Sequence, residues 1–505
     1  MSEATSDLNK HPRGLMVLFL AEMWERFCYY GMRTLLTLYL VESLLMGDQA
    51  AFGVYGAYTA LVYAAPVIGG KLADNLLGYQ RAVVLGGIMM AIGEFTIVGH
   101  RLLGTDDVAT ATQLMYVGMG LLIVGNGYFK ANISSIVGKL YDDRPGLKDS
   151  GFTIFYIGIN VGALLATTVC AWVGAEYGRE YGFGLAGVGM LVGLGQFILG
   201  RGKLEGAGEA PDEKKLHESF AGPLSRWHVT VLASFGVAFG LYFLLTNSSV
   251  VGWLLAATAI IVAVLLVRAS AAEGKVQTHR TIALFIFMVI NVVWWALFEQ
   301  AGTSLTLFAD RAVDRFIGGW EMPAENTQFF NPFFIVVFGS VFSTMWAKLD
   351  KAGKSPNIPI KFGLAYLQLG LGFYMLVIGS GMAGTDFKVP LTFLALLYLF
   401  HTTGELFLSP IGLSMVTKLA PKGQTASVMG AWFLSFAGAN FVGGEIAKLT
   451  GGHGGEGGEA TAKTAEAVLN TYVGTYENFS YAIVAIGVLI ILLNKPFNKL
   501  LHGVK

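Results

Sequence analysis

The chain has 505 residues, of which 54% are hydrophobic and only 13% are charged, and this balance excludes an ordinary soluble protein. Its 34 Lys and Arg residues equal its 34 Asp and Glu residues in number, so its charge gives no reason to expect a nucleic-acid partner. The polar N-terminus lacks the features of a signal peptide, and we expect the first apolar run to stay in the membrane. Both cysteines fall within predicted helices, which argues against a disulfide framework or a metal site.

Fourteen apolar runs approach the length of about 20 residues that a helix needs to cross a bilayer. They lie at residues 14–45, 51–73, 80–101, 111–139, 150–173, 181–200, 227–246, 250–268, 280–308, 326–348, 360–382, 389–418, 424–449 and 472–494. The sequence therefore predicts an all-α polytopic membrane protein with 14 transmembrane helices.

The pair of runs at 227–246 and 250–268 divides the others into six before it and six after it. We therefore predict three parts: an N-terminal six-helix bundle (1–200), a linker with two additional transmembrane helices (201–279) and a C-terminal six-helix bundle (280–505). The polar stretch 201–225 and the glycine-rich stretch 450–466 are both predicted to be flexible. The role of the additional helix pair is left open by the sequence.

Basic residues are distributed unevenly between the two sides of these spans. With a cytoplasmic N-terminus, 24 of the 34 Lys and Arg residues fall on the cytoplasmic side, 7 on the opposite side and 3 within the spans. The positive-inside rule then predicts that both termini are cytoplasmic.

The first run contains Glu-Met-Trp-Glu-Arg-Phe-Cys-Tyr-Tyr-Gly at 22–31 and Arg33 two residues later, and each charge would cost roughly 3 kcal/mol in lipid. At 100° per residue, six polar side chains fall within an arc of about 140°: Glu22, Glu25, Arg26, Tyr29, Tyr30 and Arg33. Carboxylates interleaved with guanidiniums can pair and titrate as a coupled set, as a proton-driven device requires. The alternative is a buried ion-pair network that only fixes helix packing.

Between the second and third runs, Gly70, Asp74, Gly78 and Arg81 stand at offsets that look like the cytoplasmic loop signature of the major facilitator superfamily. We expect Asp74 and Arg81 to act in gating, with Asp74 contacting a helix end and so locking one face closed. A tight turn with an incidental charge pair is the alternative.

Other polar side chains lie inside predicted spans. Lys130 places an ammonium group at mid-membrane depth unless it snorkels to the interface, and Asn160 either satisfies an amine or only joins two helices. Trp295 and Glu299 are spaced to share one helix face. Glu94 lies deep in the third run without an evident partner.

The two halves offer complementary charges. Arg33 and Lys130 in the first half suit a carboxylate, whereas Glu405 in the second half suits an ammonium group. Corresponding positions in two halves that face a shared midplane are typical of transporters built from repeats, and a site with opposite charges at its ends fits a zwitterion. Asn331 could instead only start a helix, and Trp432 could belong to the core rather than to a pocket.

Two stretches resemble signatures of the proton-dependent oligopeptide transporter (POT) family, within the major facilitator superfamily. The first is Glu22-x-x-Glu25-Arg26-Phe27-x-Tyr29-Tyr30-Gly31, and the second is Phe155-Tyr156-x-x-Ile159-Asn160-x-Gly162. The resemblance covers essentially the whole chain and implies a major facilitator fold. It also implies proton-coupled import of di- and tripeptides by alternating access across the cell inner membrane, without enzymatic activity. We expect no cofactor, protons as the coupling ion, and a functional monomer in the lipid bilayer.

The resemblance also implies residue roles. Proton coupling is assigned to Glu22, Glu25, Arg26 and Glu299. Substrate binding is assigned to Tyr29, Tyr30, Arg33, Tyr63, Lys130, Asn160, Trp295, Asn331, Glu405 and Trp432. Mammalian members carry a functional histidine in the second helix, but residues 51–73 contain none, so protonation is expected to rest on the carboxylates.

Two rival functions remain at this point. One is a symporter for nitrate or another anion, which would use Arg33 and Lys130 and leave Glu405 structural. The other is an intramembrane peptidase or transferase, for which the sequence offers no Ser-Lys, HExxH or paired-Asp motif in a suitable context.

Overall fold

A computed structural model describes residues 10–450 and 464–504, apart from the side chains of residues 221, 409–411, 413, 414 and 426. Helices dominate these residues. The helices up to the end of the linker are α1 (Gly14–Leu38), α2 (Asp48–Leu72), α3 (Tyr79–Ile97), α4 (Gly99–Leu102), α5 (Val108–Leu140), α6 (Lys148–Leu165), α7 (Ala171–Tyr177), α8 (Arg179–Gly200), α9 (Glu213–His217), α10 (Arg226–Thr246) and α11 (Ser248–Glu273).

The later helices are α12 (Lys275–Phe298), α13 (Ser304–Ala312), α14 (Phe330–Lys351), α15 (Ile358–Ser380), α16 (Leu391–Leu419), α17 (Thr425–Ala447), α18 (Ala465–Leu492) and α19 (Asn494–Leu501). Turns of π-helix continue α1, α2 and α6 at Tyr39–Ser43, Ala73–Leu77 and Ala166–Cys170. Turns of 3₁₀-helix occupy Pro145–Leu147, Arg201–Leu204, Glu299–Gly302 and Glu325–Phe329.

Short strands form three two-stranded pairings. They are β1 (Ser219–Ala221), β2 (Leu224–Ser225), β3 (Val313–Asp314), β4 (Phe316–Ile317), β5 (Trp320–Glu321) and β6 (Val389–Pro390). The pairs β1–β2 and β4–β5 are antiparallel hairpins, whereas β3 and β6 pair in parallel. These strands connect helices and add little to the core.

Twelve helical segments among the described residues are long and apolar enough to cross a membrane, which confirms a multi-pass membrane protein. The other two predicted spans, 14–45 and 424–449, correspond to α1 and α17. Both form long helices, but neither is among the twelve. The four charges in α1 lower its hydropathy, so the count of 14 spans stays a prediction.

Helix starts follow the capping chemistry of the sequence. The Asp107 carboxylate accepts the backbone N–H of Thr110 at 2.9 Å where α5 begins. The Asn357 side chain accepts the N–H of Ile360 at 3.2 Å where α15 begins. Each bond satisfies a donor that the first helical turn leaves unpaired.

The contacts within the chain define two compact units. The first unit contains residues 1–45 and 61–248, and the second contains residues 46–60 and 249–505. The linker helices α10 and α11 therefore fall in different units. The three-part division predicted above stays a prediction.

In the first unit, α3 packs along α5, and α1 packs against α6 and α8. The linker helix α10 lies along α5. Glycines permit these close approaches: a β-carbon on Gly69 would collide with the backbone of Gly127, and one on Gly120 would collide with the carbonyl oxygen of Ala238. Small residues at such crossings are typical of membrane helices.

In the second unit, α15 packs against α16 and α18, α12 against α17, and α14 against α16. Their apolar side chains form the core, with Phe362, Leu369, Phe373 and Ile483 almost fully buried. Most of α11 and α14 is not covered by protein, as expected for helices whose apolar surfaces face lipid.

The stretch 201–225 is not the flexible linker that its composition predicts. Asp212 caps α9 by accepting the backbone N–H of Lys215 at 3.0 Å, and β1 and β2 follow as a hairpin. The polar residues that suggested flexibility instead cap a helix and form a turn. Of the predicted loop 450–466, residues 451–463 lie outside the described residues.

Candidate functional site

The charged stripe of α1 forms a compact ion-pair network in the first unit. Arg26 Nε lies 3.1 Å from a Glu22 carboxylate oxygen, and Arg26 Nη2 lies 2.5 Å from a Glu25 oxygen. All three side chains are almost fully buried. The spacing of four residues between Glu22 and Arg26 places the two on one helix face. The structure thus brings together the three residues assigned to proton coupling on α1.

Asn126 on α5 completes this network, and we did not assign it a role from the sequence. Its Nδ2 donates a hydrogen bond of 2.7 Å to the second oxygen of Glu25. The signal available in the sequence was a lone amide between two glycines, four residues before Lys130, inside an apolar span. A side chain of this kind in a membrane helix usually has a partner on a neighbouring helix.

Three further residues of the stripe combine aromatic and cationic character. The Arg26 guanidinium carbon lies 5.4 Å from the centre of the Tyr29 ring, and that of Arg33 lies 5.9 Å from the centre of the Tyr30 ring. The two tyrosine rings meet edge to face at 5.2 Å. Cations over aromatic faces are stabilised by the ring quadrupole, so the predicted stripe is one continuous polar surface.

Lys130 and Tyr63 meet within the first unit. The ammonium nitrogen lies 4.1 Å from the centre of the Tyr63 ring, which belongs to α2. No carboxylate of the described residues lies within ion-pair distance of Lys130. The Tyr63 face therefore lies against this half-buried ammonium group, while Glu22 and Glu25 attract it from beyond ion-pair distance.

Asn160 is nearly buried on α6, and its Nδ2 donates to the backbone oxygen of Tyr156 at 3.0 Å. Among the described residues it makes no hydrogen bond to another helix. Among these residues, Asn160 therefore does not form the hydrogen bond between two helices that was one of its two predicted roles.

Asn331 and Glu405 meet in the second unit. Asn331 Nδ2 donates to Glu405 Oε2 at 3.1 Å and to the hydroxyl of Thr402 at 3.0 Å. We refer to these three residues as the Asn331 cluster. Thr402 was not predicted, although its spacing of three residues from Glu405 places both on one face of α16. Within the part of the chain that the structure describes, no Lys or Arg pairs with Glu405.

The two tryptophans of the second unit that were assigned to substrate binding lie on α12 and α17. The Trp295 ring contacts Phe298 and Phe436 at centroid distances of 5.0 and 5.2 Å. Trp432 is only 2% exposed and lies 6.1 Å from Phe436, so it packs as a core residue. Glu299 is buried and begins the 3₁₀ turn that follows α12, so it lies just beyond the α-helix whose face it was predicted to share with Trp295.

The residues assigned to gating contact different partners. Asp74 accepts a hydrogen bond of 2.7 Å from the hydroxyl of Tyr79, the first residue of α3. Arg81 donates to Glu213 of α9 at 2.7 Å, and this bond holds the pKa of the Glu213 carboxyl below its ordinary value. Asp74 thus contacts a helix start, and its part in gating stays a prediction.

Glu94 has a partner that the sequence did not reveal. The Cys28 thiol lies 3.4 Å from its Oε1, and both side chains are fully buried. Both cysteines are free. Among residues 10–450 and 464–504, no group of three His, Cys, Asp or Glu side chains is arranged to hold a metal ion.

Comparisons with known proteins give one consistent result. A family model described as the POT family matches residues 80–461. The chain is 36% identical over 446 residues to "Uncharacterized transporter YclF" of Bacillus subtilis, covering 87% of this chain and 88% of that protein. It is 31% identical over 502 residues to "Dipeptide and tripeptide permease B" of Salmonella typhimurium, covering 99% and 98%.

Solved structures agree over nearly the whole chain. A crystal structure of "peptide transporter POT in complex with sulfate" superposes with a TM-score of 0.79 at 32% identity, covering 98% of this chain and 96% of that one. A crystal structure of a glutamate-to-glutamine mutant of "peptide transporter POT" in complex with alafosfalin gives 0.80 at 33% identity, covering 98% and 96%. "Tetrameric PepTSo2" gives 0.80 at 27% identity, covering 96% and 99%. The all-α, major facilitator fold predicted from the sequence is thereby confirmed.

Proposed function

Because the chain belongs to the POT family of membrane transporters, we propose that it imports di- and tripeptides together with protons. The observation that carries this proposal is a pair of ionisable side chains, one basic and one acidic, inside membrane helices. In the described residues, neither Lys130 of the first unit nor Glu405 of the second has a partner of opposite charge within ion-pair distance. Ionisable groups inside a membrane are costly and are mostly retained for function.

The chemistry of the two groups fits the two ends of a peptide. The Lys130 ammonium and the Arg33 guanidinium suit the terminal carboxylate, and the Tyr63 ring keeps the ammonium group oriented at 4.1 Å. Glu405, held by Asn331 at 3.1 Å, suits the terminal ammonium group. The permease names of the relatives support a peptide rather than a simple anion.

We assign Tyr29, Tyr30, Asn160, Trp295 and Trp432 to the surroundings of the peptide. The tyrosines support this role by lying against the cations of α1. Trp295 supports the surroundings of the peptide through its edge-to-face contact with Phe298. Trp432 is buried against Phe436, so we assign it an indirect role in supporting the surroundings of the peptide.

In the proposed cycle, Glu299 carries the proton. Protonation of Glu299 removes its attraction for Arg33 and leaves that guanidinium to bind the peptide carboxylate. Peptide and proton together favour closure, and the loss of both restores the attraction between Glu299 and Arg33. Coupling arises because each ligand binds better when the other is present.

The α1 network links protonation to the conformation of the first unit. Arg26 holds both Glu22 and Glu25, so a proton taken by either carboxylate weakens one ion pair and frees part of the guanidinium. Two acids that share one cation titrate as a unit. Asp74 and Arg81 then act at the ends of helices, where their hydrogen bonds to Tyr79 and Glu213 form or break with the cycle.

The proposed setting is the cell inner membrane with both termini in the cytoplasm, and a monomer is the proposed working unit. The proposal requires no cofactor besides the coupling protons. Because one structural relative is tetrameric, the oligomeric state has its own test, which is light scattering of the purified protein.

The proposal is tested by uptake of a labelled dipeptide into liposomes that hold the purified protein. An inward proton gradient should drive accumulation, and collapse of the gradient with an uncoupler should release the accumulated peptide. Intact dipeptide recovered from the lumen excludes peptidase or transferase activity. If folded protein takes up nitrate or another anion but no dipeptide, the peptide proposal is wrong.

A further inference from the structure

A cavity of about 350 Å³ lies in the first unit between α2, α5 and the linker helix α10, away from the charged stripe of α1. This volume falls within the range of about 300–1,000 Å³ that is typical of ligand sites. We call it the linker crevice. Its lining residues are Leu61, Ala64, Ala65, Ile68, Gly69, Leu72, Ile123, Val124, Tyr128, Val229, Thr230, Ala233, Ser234, Val237 and Leu241.

The linker crevice is elongated along two helices. It follows α2 from Leu61 to Leu72 and α10 from Val229 to Leu241, which is about 16–18 Å at 1.5 Å per residue. The hydrocarbon core of a bilayer is about 30 Å thick, so this length matches one leaflet. An extended acyl chain of a single phospholipid has this shape.

The hydroxyl groups on the crevice wall are already engaged. The Tyr128 and Ser234 hydroxyls bond to each other at 2.7 Å. Ser234 also donates to the backbone oxygen of Thr230 at 2.7 Å, and Thr230 donates to that of Arg226 at 2.8 Å. A guest in the crevice therefore meets an apolar wall, which favours a hydrocarbon chain over a polar ligand.

One end of the crevice carries two basic residues, Lys71 and Arg226. Gly120 of α5 meets Ala238 of α10, and Tyr128 bonds to Ser234, so these two helices run in opposite directions. Gly69 of α2 meets Gly127 beside Tyr128, so the end of α2 and the start of α10 lie at the same end of the crevice. Lys71 is exposed there beside Leu72. Arg226 precedes Thr230 by one helical turn on the same face of α10.

Arg226 has an exposed ion-pair partner. Its guanidinium lies 3.4 Å from the carboxylate of Glu218, whose side chain is 64% exposed. An ion pair at such an exposed position contributes little, so an anionic headgroup can share or replace Glu218. Trp227 beside it is an aromatic residue of the type that anchors helices at the interface.

We propose that the linker crevice binds one acyl chain of an anionic phospholipid, with the lipid phosphate beside Lys71 and Arg226. This site gives α10 a role that peptide transport does not require, because the lipid fills the space between α10 and the helices α2 and α5. The proposal does not depend on the proposed transport function.

The experiment is native mass spectrometry of the full-length protein, purified in detergent and titrated with phosphatidylglycerol or phosphatidylcholine. The protein should retain one phosphatidylglycerol molecule more tightly than phosphatidylcholine. Ala233→Trp places a large ring into the crevice from an exposed position, and we expect at least a tenfold weaker retention. Leu232→Trp is the matched control, because Leu232 is 59% exposed on the same helix but does not line the crevice.

The headgroup part of the site is tested with Arg226→Gln. A basic residue near a membrane surface contributes about 1 kcal/mol to the binding of anionic lipid, so the preference for phosphatidylglycerol should fall about fivefold while phosphatidylcholine is unaffected. Equal loss of lipid in Ala233→Trp and Leu232→Trp, or unchanged retention in both, would overturn the acyl-chain site. Equal retention of the two lipids by the unmodified protein would overturn its anionic headgroup.

Discussion

The two units solve the problem of a carboxylate inside a membrane in different ways. In the first unit, Glu22 and Glu25 share Arg26, and Asn126 donates to Glu25. In the second unit, Glu405 has an amide donor from Asn331 and, among the described residues, no basic partner. In the first arrangement two carboxylates share one basic partner, whereas in the second the carboxylate has a neutral donor in place of a basic partner.

We interpret the α1 network as a device for stability and coupling, and the Asn331 cluster as a device for substrate recognition. A buried ion pair that is satisfied from within its own unit gains nothing from a ligand, but its strength changes when a proton arrives. A buried carboxylate that is held by neutral donors is stabilised, in its ionised form, when a cationic ligand binds beside it. We therefore expect substitutions in the α1 network to act on stability and coupling, and substitutions in the Asn331 cluster to act on substrate affinity.

The largest expected effect is that of Glu405→Gln. The amide keeps the size of the side chain but removes the charge that would bind the peptide ammonium group. Removing one partner of a buried, hydrogen-bonded charge pair costs about 2–5 kcal/mol, so the apparent affinity for a dipeptide should fall by at least about 30-fold. The measurement is competition for dipeptide uptake in liposomes at saturating proton gradient.

The control for this prediction is Glu445→Gln. Glu445 is an exposed acid that pairs with Lys448 at 2.6 Å, and its substitution should leave the affinity unchanged. A peptide analogue whose terminal amine is blocked should bind the original protein and Glu405→Gln equally weakly. If Glu405→Gln transports free dipeptides normally, the Asn331 cluster is structural and the contrast between the units fails.

Asn126→Leu tests the α1 network of the first unit. The apolar side chain leaves one oxygen of the buried Glu25 carboxylate without its donor, which should lower stability by about 1–2 kcal/mol. The melting temperature of the purified protein should fall, while the affinity for a dipeptide changes little. Asn75→Ala is the control, because Asn75 is exposed and donates only to a backbone oxygen of its own helix turn.

A fall in dipeptide affinity without a fall in melting temperature in Asn126→Leu would reverse the assignment. It would place the α1 network in substrate binding rather than in stability and coupling. Equal melting temperatures for Asn126→Leu and Asn75→Ala would show that the hydrogen bond to Glu25 contributes nothing measurable.

Glu299→Gln tests where the proton is carried. If Glu299 is the proton carrier, the amide cannot titrate, so peptide should equilibrate across the liposome membrane without accumulating. For a gradient of one pH unit and one proton per peptide, the accumulation ratio falls about tenfold, which corresponds to about 1.4 kcal/mol. Counterflow exchange of labelled for unlabelled peptide should continue. If Glu299→Gln still accumulates peptide against a gradient, the proton is carried by Glu22 and Glu25 instead of Glu299.

The helical part of the fold was largely predictable from the sequence because spanning length and hydropathy constrain each helix separately. Predicted and observed ends usually differ by a few residues, as for 227–246 against Arg226–Thr246 and 111–139 against Val108–Leu140. The largest difference lies in the run 280–308, where α12 already ends at Phe298 and a 3₁₀ turn and α13 follow. The structure of 201–225 was missed because capping and hairpin residues have the same composition as a flexible linker.

The candidate site was predictable in its composition but not in its pairings. Intrahelical pairs such as Glu22 with Arg26 follow from the helical repeat alone. The bond from Asn126 to Glu25 and the contact of Cys28 with Glu94 depend on how one helix is rotated against another. A single sequence does not specify that rotation, because glycines and small residues allow several crossings.

The smallest expected effect concerns the contact between Arg81 and Glu213, both partly exposed. The bond from Arg81 lowers the pKa of Glu213, so its contribution to holding α9 is present above the ordinary carboxyl range and is lost as the pH falls through the lowered value. Hydrogen exchange of the α9 amides, expressed as protection factors at pH 6 and pH 3.5, should show this loss. An exposed pair of this kind contributes little, so the protection should fall only about two- to threefold. In Glu213→Gln this part of the pH dependence should disappear. If the original protein and Glu213→Gln respond equally to pH, then Arg81 does not anchor the linker, and its role lies elsewhere in the cycle.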